Sequence, residues 1–399
     1  GIVSAVGHKR STGYHENDDF RRYNLYAKAV RRFARTTVKT QALWALDDHG
    51  VFLQWKDRSQ PLEVPTADRN AATSSWKFNL NSELQRLVNP HASYQLRGFY
   101  YRTGFDNTAA AGGLNSSAHK IGSELQVDYT GWRGAKVTGG SFATIDMVRS
   151  PADFLGRRTV TTLALYSQGE IGVGPNLDLA LGLRLDHHRR GRQGGSVGGD
   201  LCPEVDFGRA RRRSETRLSP QLGLSFRPGD GTALRASAGR GFRAPSVSEI
   251  HTQAEASGVL VCADPNLRSE HSWSFETGIR QLIGDRVSTD GAIFWSEYDD
   301  LVEARPDPLA ASPVPVARFR NLSRARVRGA ELGTQVALPW GTRLRTGYTY
   351  LDAVEFLARK VVLPPFCGDE LAPGQRAPLP YRSRHQLTGE LEATIGGAT

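Results

Sequence analysis

From Leu177 to Leu185 the chain reads L-D-L-A-L-G-L-R-L, with leucine at every odd position and Asp178, Ala180, Gly182 and Arg184 between them. An extended backbone sends successive side chains to opposite faces, so this alternation predicts a strand with one apolar and one polar side. The pattern returns many times. Leu222, Leu224 and Phe226 oppose Gln221, Gly223, Ser225 and Arg227; Trp273, Phe275 and Ile279 oppose Ser272, Ser274, Glu276 and Arg280; Leu387, Leu391 and Ile395 oppose Gln386, Thr388, Glu390 and Glu392. A soluble sheet uses such a strand once or twice. Its recurrence along nearly the whole chain predicts an all-β, antiparallel transmembrane β-barrel, whose strands face lipid on one side and a polar lumen on the other. About sixteen strands are expected, from a run through Gly1–Tyr14 to one ending near Ile395.

The connections are of two kinds. Short ones fall at Ala34–Thr36, Asn89–His91, Gly131–Gly134, Gly174–Asn176, Pro228–Gly231, Gly284–Asp285 and Pro339–Gly341, most of them rich in the residues that tight hairpins require. Long polar ones lie between them, around residues 50–73, 106–117, 148–158, 187–214, 243–270, 303–317 and 357–381. Strict alternation of short and long is expected of an outer-membrane barrel, with turns on the periplasmic side and loops outside. A soluble sandwich has no reason to sort its loops by end. Aromatic residues near strand ends (Phe99, Tyr100, Tyr101, Trp295, Tyr298, Tyr348, Tyr350) are expected to form a girdle at the lipid interface.

Composition neither demands nor excludes a membrane. Hydrophobic residues make up 39% and the mean hydropathy is −0.43, but a lipid-facing strand needs only every second residue apolar. No segment reaches the ~18 consecutive apolar residues of a helical span. Lys and Arg outnumber Asp and Glu by 51 to 41, and a basic surface attracts nucleic acid, anionic lipid or anionic solutes. The arginines are scattered and no nucleic-acid motif is present, so no nucleic-acid partner is expected. Cys202, Cys262 and Cys367 are too few for a disulfide-built scaffold, and all three fall in long loops. A Cys202–Cys262 pair is one reading; with an odd count the pairing stays open.

Gly239-Arg240-Gly241-Phe242-Arg243-Ala244-Pro245-Ser246, followed by Asp264-Pro265-Asn266-Leu267-Arg268-Ser269-Glu270, resembles the F-R-A-P and N-P-N-L boxes of TonB-dependent outer-membrane receptors. The segment from Asn321 to Glu331 resembles that family's N-x-x-x-A-R-x-x-G-x-E strand, Tyr298–Val302 the strand end before it, and Asp18–Leu25 an early barrel strand. Four such segments in the family's order are a specific signal.

The resemblance implies one domain over residues 1–399, the barrel part of a receptor. These receptors have 22-stranded barrels plugged by a globular N-terminal domain. In that frame the sixteen strands correspond to roughly the third to the eighteenth. The plug, the segment that engages TonB and the flanking strands are expected to lie outside this chain, which opens Gly-Ile-Val-Ser-Ala-Val as if cut. The implied location is the outer membrane of a Gram-negative cell. The implied partners are outer-membrane lipid and lipopolysaccharide, the TonB energy complex acting through the plug, and a small-molecule iron complex.

His251 lies between the two boxes. In haem-importing members of the family a histidine in that interval is an axial haem ligand, and neutral imidazole is a good iron ligand. His251 is therefore the candidate ligand and candidate metal contact; a solvated loop histidine is the alternative. The run His187-His188-Arg189-Arg190-Gly191-Arg192, continued by Arg209, Arg211, Arg212 and Arg213, reads as a loop. Arg189, Arg190 and Arg192 are candidates for an anionic siderophore or haem propionates, since guanidinium recognises carboxylate bidentately. Lipopolysaccharide phosphates and plain solvation are the other readings. The adjacent His187 and His188 diverge on an extended run, which argues against a shared metal.

No enzyme constellation is present: no G-x-S-x-G elbow, H-E-x-x-H, P-loop or paired-cysteine zinc motif. The expected function is import of an iron complex, haem or ferric siderophore, as transported ligand with no intrinsic cofactor. The alternatives are a receptor for cobalamin or another TonB-dependent substrate, a passive porin-like barrel, and a soluble β-protein.

Overall fold

The computed structural model describes the chain apart from residues 53–54, 109–113, 133, 152–154, 193–201, 203–212, 257–258, 308–309, 311, 313, 357–375, 380–381 and 394–399. Eleven strands come first: β1 (Ile2–Ser11), β2 (Phe20–Phe33), β3 (Thr36–Gly50), β4 (Ala72–Asn89), β5 (Ala92–Thr108), β6 (Leu114–Tyr129), β7 (Ala135–Arg149), β8 (Arg157–Gly172), β9 (Leu177–Arg192), β10 (Arg213–Gly229) and β11 (Thr232–Arg243). A short helix α1 (Val247–His251) and a small hairpin, β12 (Gln253–Ala256) and β13 (Val259–Cys262), follow. The chain then returns through β14 (Glu270–Ile283), β15 (Val287–Pro306), β16 (Val316–Ala337), β17 (Arg343–Phe356), the three-residue β18 (Arg376–Pro378) and β19 (His385–Glu392).

Apart from β12, β13 and β18, each strand pairs antiparallel with the next, which leaves the sixteen-strand meander that the alternation predicts. Among the described residues β1 pairs only with β2, and no pairing joins it to β19. All seven short turns are where the sequence places them. Gly174 and Gly284 sit in two of them at φ +80° and +57°, a backbone shape that costs a residue with a Cβ about 1 kcal/mol or more.

The register keeps one apolar face in phase across the sheet. Leu165 pairs with Leu185 and Leu185 with Leu218; Leu222 lies between Leu181 and Ala238; Phe275 lies between Ala238 and Trp295. These side chains stay exposed, Leu165 by 62% and Leu185 by 43%. In water such a face would be costly; in hydrocarbon it is the favoured surface. The opposite face is polar and internally paired. Tyr166 donates to Glu124 (2.9 Å), Arg184 binds Asp186 (2.9 Å), and Arg235 grips Asp290 through two nitrogens (2.9 and 2.7 Å).

Period two divides the expected aromatic girdle. Tyr100, Trp295, Tyr348 and Tyr350 share the outward face by register, whereas Phe99 is buried inside and Tyr101 donates inward to Asn81 (2.9 Å).

Strand lengths correct the expected loops. A barrel strand needs about 9–11 residues to cross a bilayer, yet β2–β10 and β14–β17 run 14 to 22 residues. The excess rises past the membrane as paired sheet. The connections expected at 106–117, 187–214 and 303–317 therefore shrink to the residues between Thr108 and Leu114, Arg192 and Arg213, and Pro306 and Val316. Arg189, Arg190 and Arg192 stand on β9, not on a loop. There the lipid contrast is gone, the outward residues turn polar, and the apolar signal that marks a strand vanishes while its hydrogen bonds continue.

The buried apolar residues concentrate outside the membrane band. Ile250, Leu260, Leu267 and Val316 lie in or beside the connection from β11 to β14, and Ala325, Ala353 and Leu379 pack together at the upper end of β16 and β17.

Candidate functional site

The connection from β11 to β14 is a folded unit whose fasteners are the motif residues. Pro245 lies two residues beyond the strand and is buried; Ser246 then caps α1, its hydroxyl accepting the Glu249 amide (3.2 Å) while the Glu249 carboxylate accepts the Ser246 amide (2.7 Å). This reciprocal box satisfies two of the helix's free donors. Arg243 reaches both carboxylates around it, Glu249 through Nη1 (3.0 Å to each oxygen) and Glu270 through Nε and Nη2 (2.8 and 2.5 Å). Burial works against the charge on Glu249, but Arg243 and the Ser246 donors outweigh it and hold the carboxyl below its usual range.

The second box closes the far end. Asp264 Oδ1 accepts the Asn266 amide (2.8 Å), an Asx turn, and the Asp264 amide donates back to the Glu249 carbonyl (3.1 Å). Leu267 is fully buried, and its carbonyl accepts from Arg213 Nη1 (2.9 Å). Asn321 on β16 clasps this turn. Its amide group accepts from the Arg268 backbone (2.8 Å) and donates to the carbonyls of Arg268 (2.9 Å) and Asp300 (2.7 Å). Asp300 takes φ +58° and has no strand partner, while Asp299 and Leu301 on either side pair with Arg324 and Leu322. Arg243, Pro245, Asp264, Asn266 and Leu267 thus form one anchor for the external segment, and Phe242, Ala244 and Pro265 are their neighbours along the chain.

The Cys202–Cys262 disulfide forms, with Cα atoms 6.0 Å apart, and is buried with Leu260 and Val316. β13 runs parallel to the start of β16, Leu260 beside Val316 and Cys262 beside Arg318, so the hairpin is held on two sides. Cys367, Arg209, Arg211 and Arg212 lie outside the described residues.

His251 ends α1 and is half-buried, not a solvated loop residue. Its Nδ1 is shielded and has no hydrogen-bond partner among the described residues. Burial, reinforced by the positive charges of Arg158 and Arg190, pushes its pKa down to about 3, so the imidazole is neutral at any physiological pH. Arg190 is itself mostly enclosed, with Glu215 3.8 Å away; Glu215 in turn takes bonds from Arg217 (3.1 Å) and Ser269.

Of the two candidate arginines whose side chains are described, Arg190 lies near enough to act on the charge of His251. Arg189 is exposed on the opposite, outward face of β9, one residue out of phase. Arg192 pairs by backbone with Arg158, and its side chain lies outside the described residues. His187 and His188 diverge as expected, binding Thr216 (2.9 Å) and Thr162 (3.0 Å) on opposite faces. Arg158 and Glu215 escaped the sequence reading. Continuing the alternation of β8 and β10 two turns further would have placed both on the inner wall. Among the described residues no group of three or more His, Cys, Asp or Glu could hold a bare metal ion. The cluster offers one neutral imidazole flanked by guanidinium groups, suited to an anionic complex with an open coordination position.

A family model described as TonB dependent receptor-like, beta-barrel matches residues 6–397. The vitamin B12 transporter BtuB of Vibrio vulnificus is 25% identical over 289 residues, 66% of this chain and 43% of that protein. The ferric-catecholate import receptor Fiu from K12 E. coli superposes with a TM-score of 0.70 at 13% identity, over 98% of this chain and 64% of that one. The Serratia marcescens hemophore receptor HasR, solved with its hemophore HasA and heme, gives 0.68 at 17% identity, over 88% and 59%. At these identities the solved structures speak to the fold, and this chain spans 43% to 64% of the length of the three relatives. With sixteen meandering strands, an apolar outer face and the family's own boxes locked into one anchor, the chain belongs to the β-barrel family of TonB-dependent receptors of the outer membrane.

Proposed function

We propose that this chain is the barrel part of a receptor that imports an iron complex, haem or a ferric siderophore, captured on the external segments and drawn inward by the TonB energy complex acting on a plug. The observation that carries the reading is the neutral His251 beside Arg158 and Arg190. A histidine ligand must be unprotonated to donate to iron. The two guanidinium groups favour that state and would themselves meet the carboxylates of haem or of an acidic siderophore. Haem fits this pairing best within the class, because it needs one axial nitrogen and presents two carboxylates. The inner wall of paired arginines and carboxylates offers polar contacts to a plug. On this reading the protein transports and does not catalyse.

The 25% identity to a vitamin B12 transporter favours cobalamin as the second reading. Titration of the full receptor with haemin, and separately with cyanocobalamin, decides between them. A haemin Soret shift that disappears in His251→Ala and weakens in Arg190→Gln supports the first. Tight cobalamin binding with no haemin response in either protein overturns it.

A further inference from the structure

The outward face of β15, β16 and β17 changes character within one row of residues. Ile293, Ala330 and Tyr350 lie side by side, and one step toward the external end are Trp295, Arg328 and Asp352. Next come Glu297, Arg326 and Val354, then Asp299, Arg324 and Phe356. Ile293 is 60% exposed and Tyr350 40%, as lipid-facing residues are, so the arginines begin where the hydrocarbon ends.

Three arginines on a lipid-facing wall call for an explanation, because guanidinium in hydrocarbon is costly unless it is paired or reaches the interface. Here they are held flat and in order. Arg326 lies over the rings of Trp295 (4.5 Å) and Phe356 (5.0 Å), Arg328 over Trp295 (5.3 Å), and Arg324 and Arg376 over Phe356 (5.5 and 5.8 Å). Arg324 and Arg326 share Glu297, and Arg328 binds Asp352 (2.9 Å), in each case through Nε. No hydrogen bond from the terminal amino groups of these three is found among the described residues. Four arginines face three carboxylates, counting the exposed Asp299, and leave a positive surplus with several free donors.

Directly below the arginines a groove of about 590 Å³ is bordered by Phe275, Ile293, Trp295, Arg328, Ala330 and Tyr350. It exists because Ala330 fills little of the space between its large neighbours Ile293 and Tyr350. Cationic donors above an apolar groove, at the level where a bilayer turns polar, match a lipid with an anionic head.

We propose that this face is a binding site for a phosphorylated lipid of the outer leaflet, lipopolysaccharide, its phosphate on the terminal nitrogens of Arg324, Arg326 and Arg328 and an acyl chain in the groove over Ala330. Planar donors in a fixed fork suit phosphate, and the aromatic rings keep the fork pre-set. The site lies on the outer wall, away from His251, and stands or falls independently of the transported ligand.

Native mass spectrometry of the detergent-extracted full receptor, titrated with bisphosphorylated lipid A, tests the proposal. The wild type retains the lipid, while the combined variant Arg324→Gln, Arg326→Gln, Arg328→Gln binds it about tenfold or more weakly. Ala330→Trp fills the groove with every charge in place and weakens binding as well, which keeps the test decisive if the triple variant fails to fold. Arg102→Gln, an outward arginine stacked on Trp76 elsewhere on the barrel, leaves retention unchanged. Equal retention by wild type, Ala330→Trp and any folded triple variant overturns the proposal. So does equal binding of dephosphorylated lipid A, or full displacement of the lipid by millimolar inorganic phosphate, which would mark a simple anion site.

Discussion

Arg243 on β11 binds Glu270 on β14 through two nitrogens, Nε to Oε2 at 2.8 Å and Nη2 to Oε1 at 2.5 Å, and Oε1 also accepts the Val302 amide of β15 at 2.7 Å. One carboxylate thus ties two neighbouring strands to the arginine that steers the chain into α1. The pair sits where the barrel wall becomes the external segment, and its loss should be felt there and not in the membrane.

Replacing Glu270 by Gln removes the charge that answers Arg243 but keeps the shape. Because Glu270 is nearly enclosed, the expected cost is about 2 kcal/mol, local to residues 244–269. Hydrogen exchange should quicken in that stretch and stay slow in β9 and β10. Arg243→Lys should act similarly, since one ammonium cannot fork between Glu249 and Glu270. Unchanged exchange in both variants would refute the anchor.

His251 makes the external segment sensitive to acid in a defined window. Its folded pKa is about 3, and an unfolded histidine titrates near 6.5. Between those values the open form binds a proton that the closed form does not, so stability of the closed form falls as pH drops from about 6.5 toward 3. Glu249, with its pKa lowered, stays ionised over most of that window and does not mimic the effect. The protection of α1 against hydrogen exchange, corrected for the intrinsic pH dependence of amide exchange, should fall between pH 7 and 5 in the wild type and stay constant in His251→Gln.

The Cys202–Cys262 bond closes a 60-residue separation. Loop-closure entropy alone sets its contribution at up to about 4 kcal/mol, less whatever order the strands already impose. Reduction or Cys202→Ser should free the β12–β13 hairpin to proteolysis while the membrane-embedded strands remain protected. A hairpin equally resistant after reduction would mean that pairing with β16 suffices.

Face assignment can be tested inside the bilayer. Leu183→Arg puts a charge against lipid and should cost about 2–4 kcal/mol in folding into vesicles. Gln221→Arg, on the polar face of the adjacent strand between Gly182 and Gly239, should cost little. Comparable losses at both positions would contradict the register.

Much of this molecule is legible in one strand's worth of letters. Leu177–Leu185 announces a two-faced strand, and its recurrence foretells sixteen of them with sorted turns. Reading fails where strands leave the membrane: at His187–Arg192 both faces turn polar, hydropathy loses its alternation, and a paired strand looks like a loop. It fails again in the anchor. Arg243, Glu249, Glu270 and Asn321 belong to three separate segments, and nothing local in any of them names its partner.

What the sequence determined by itself is set by period and solvent. Alternating apolar residues must face lipid, residues suited to tight hairpins mark most of the turns, and together these dictate a barrel meander. What only the tertiary structure decided is which side chains converge. The phase of β9 separates Arg189 from Arg190, sends one outward, and brings the other to His251. Long-range register puts Arg324, Arg326 and Arg328 over Trp295 and Phe356 from strands on either side. Such meetings depend on pairing between distant strands, which backbone hydrogen bonds and side-chain contacts fix together only when the sheet is formed.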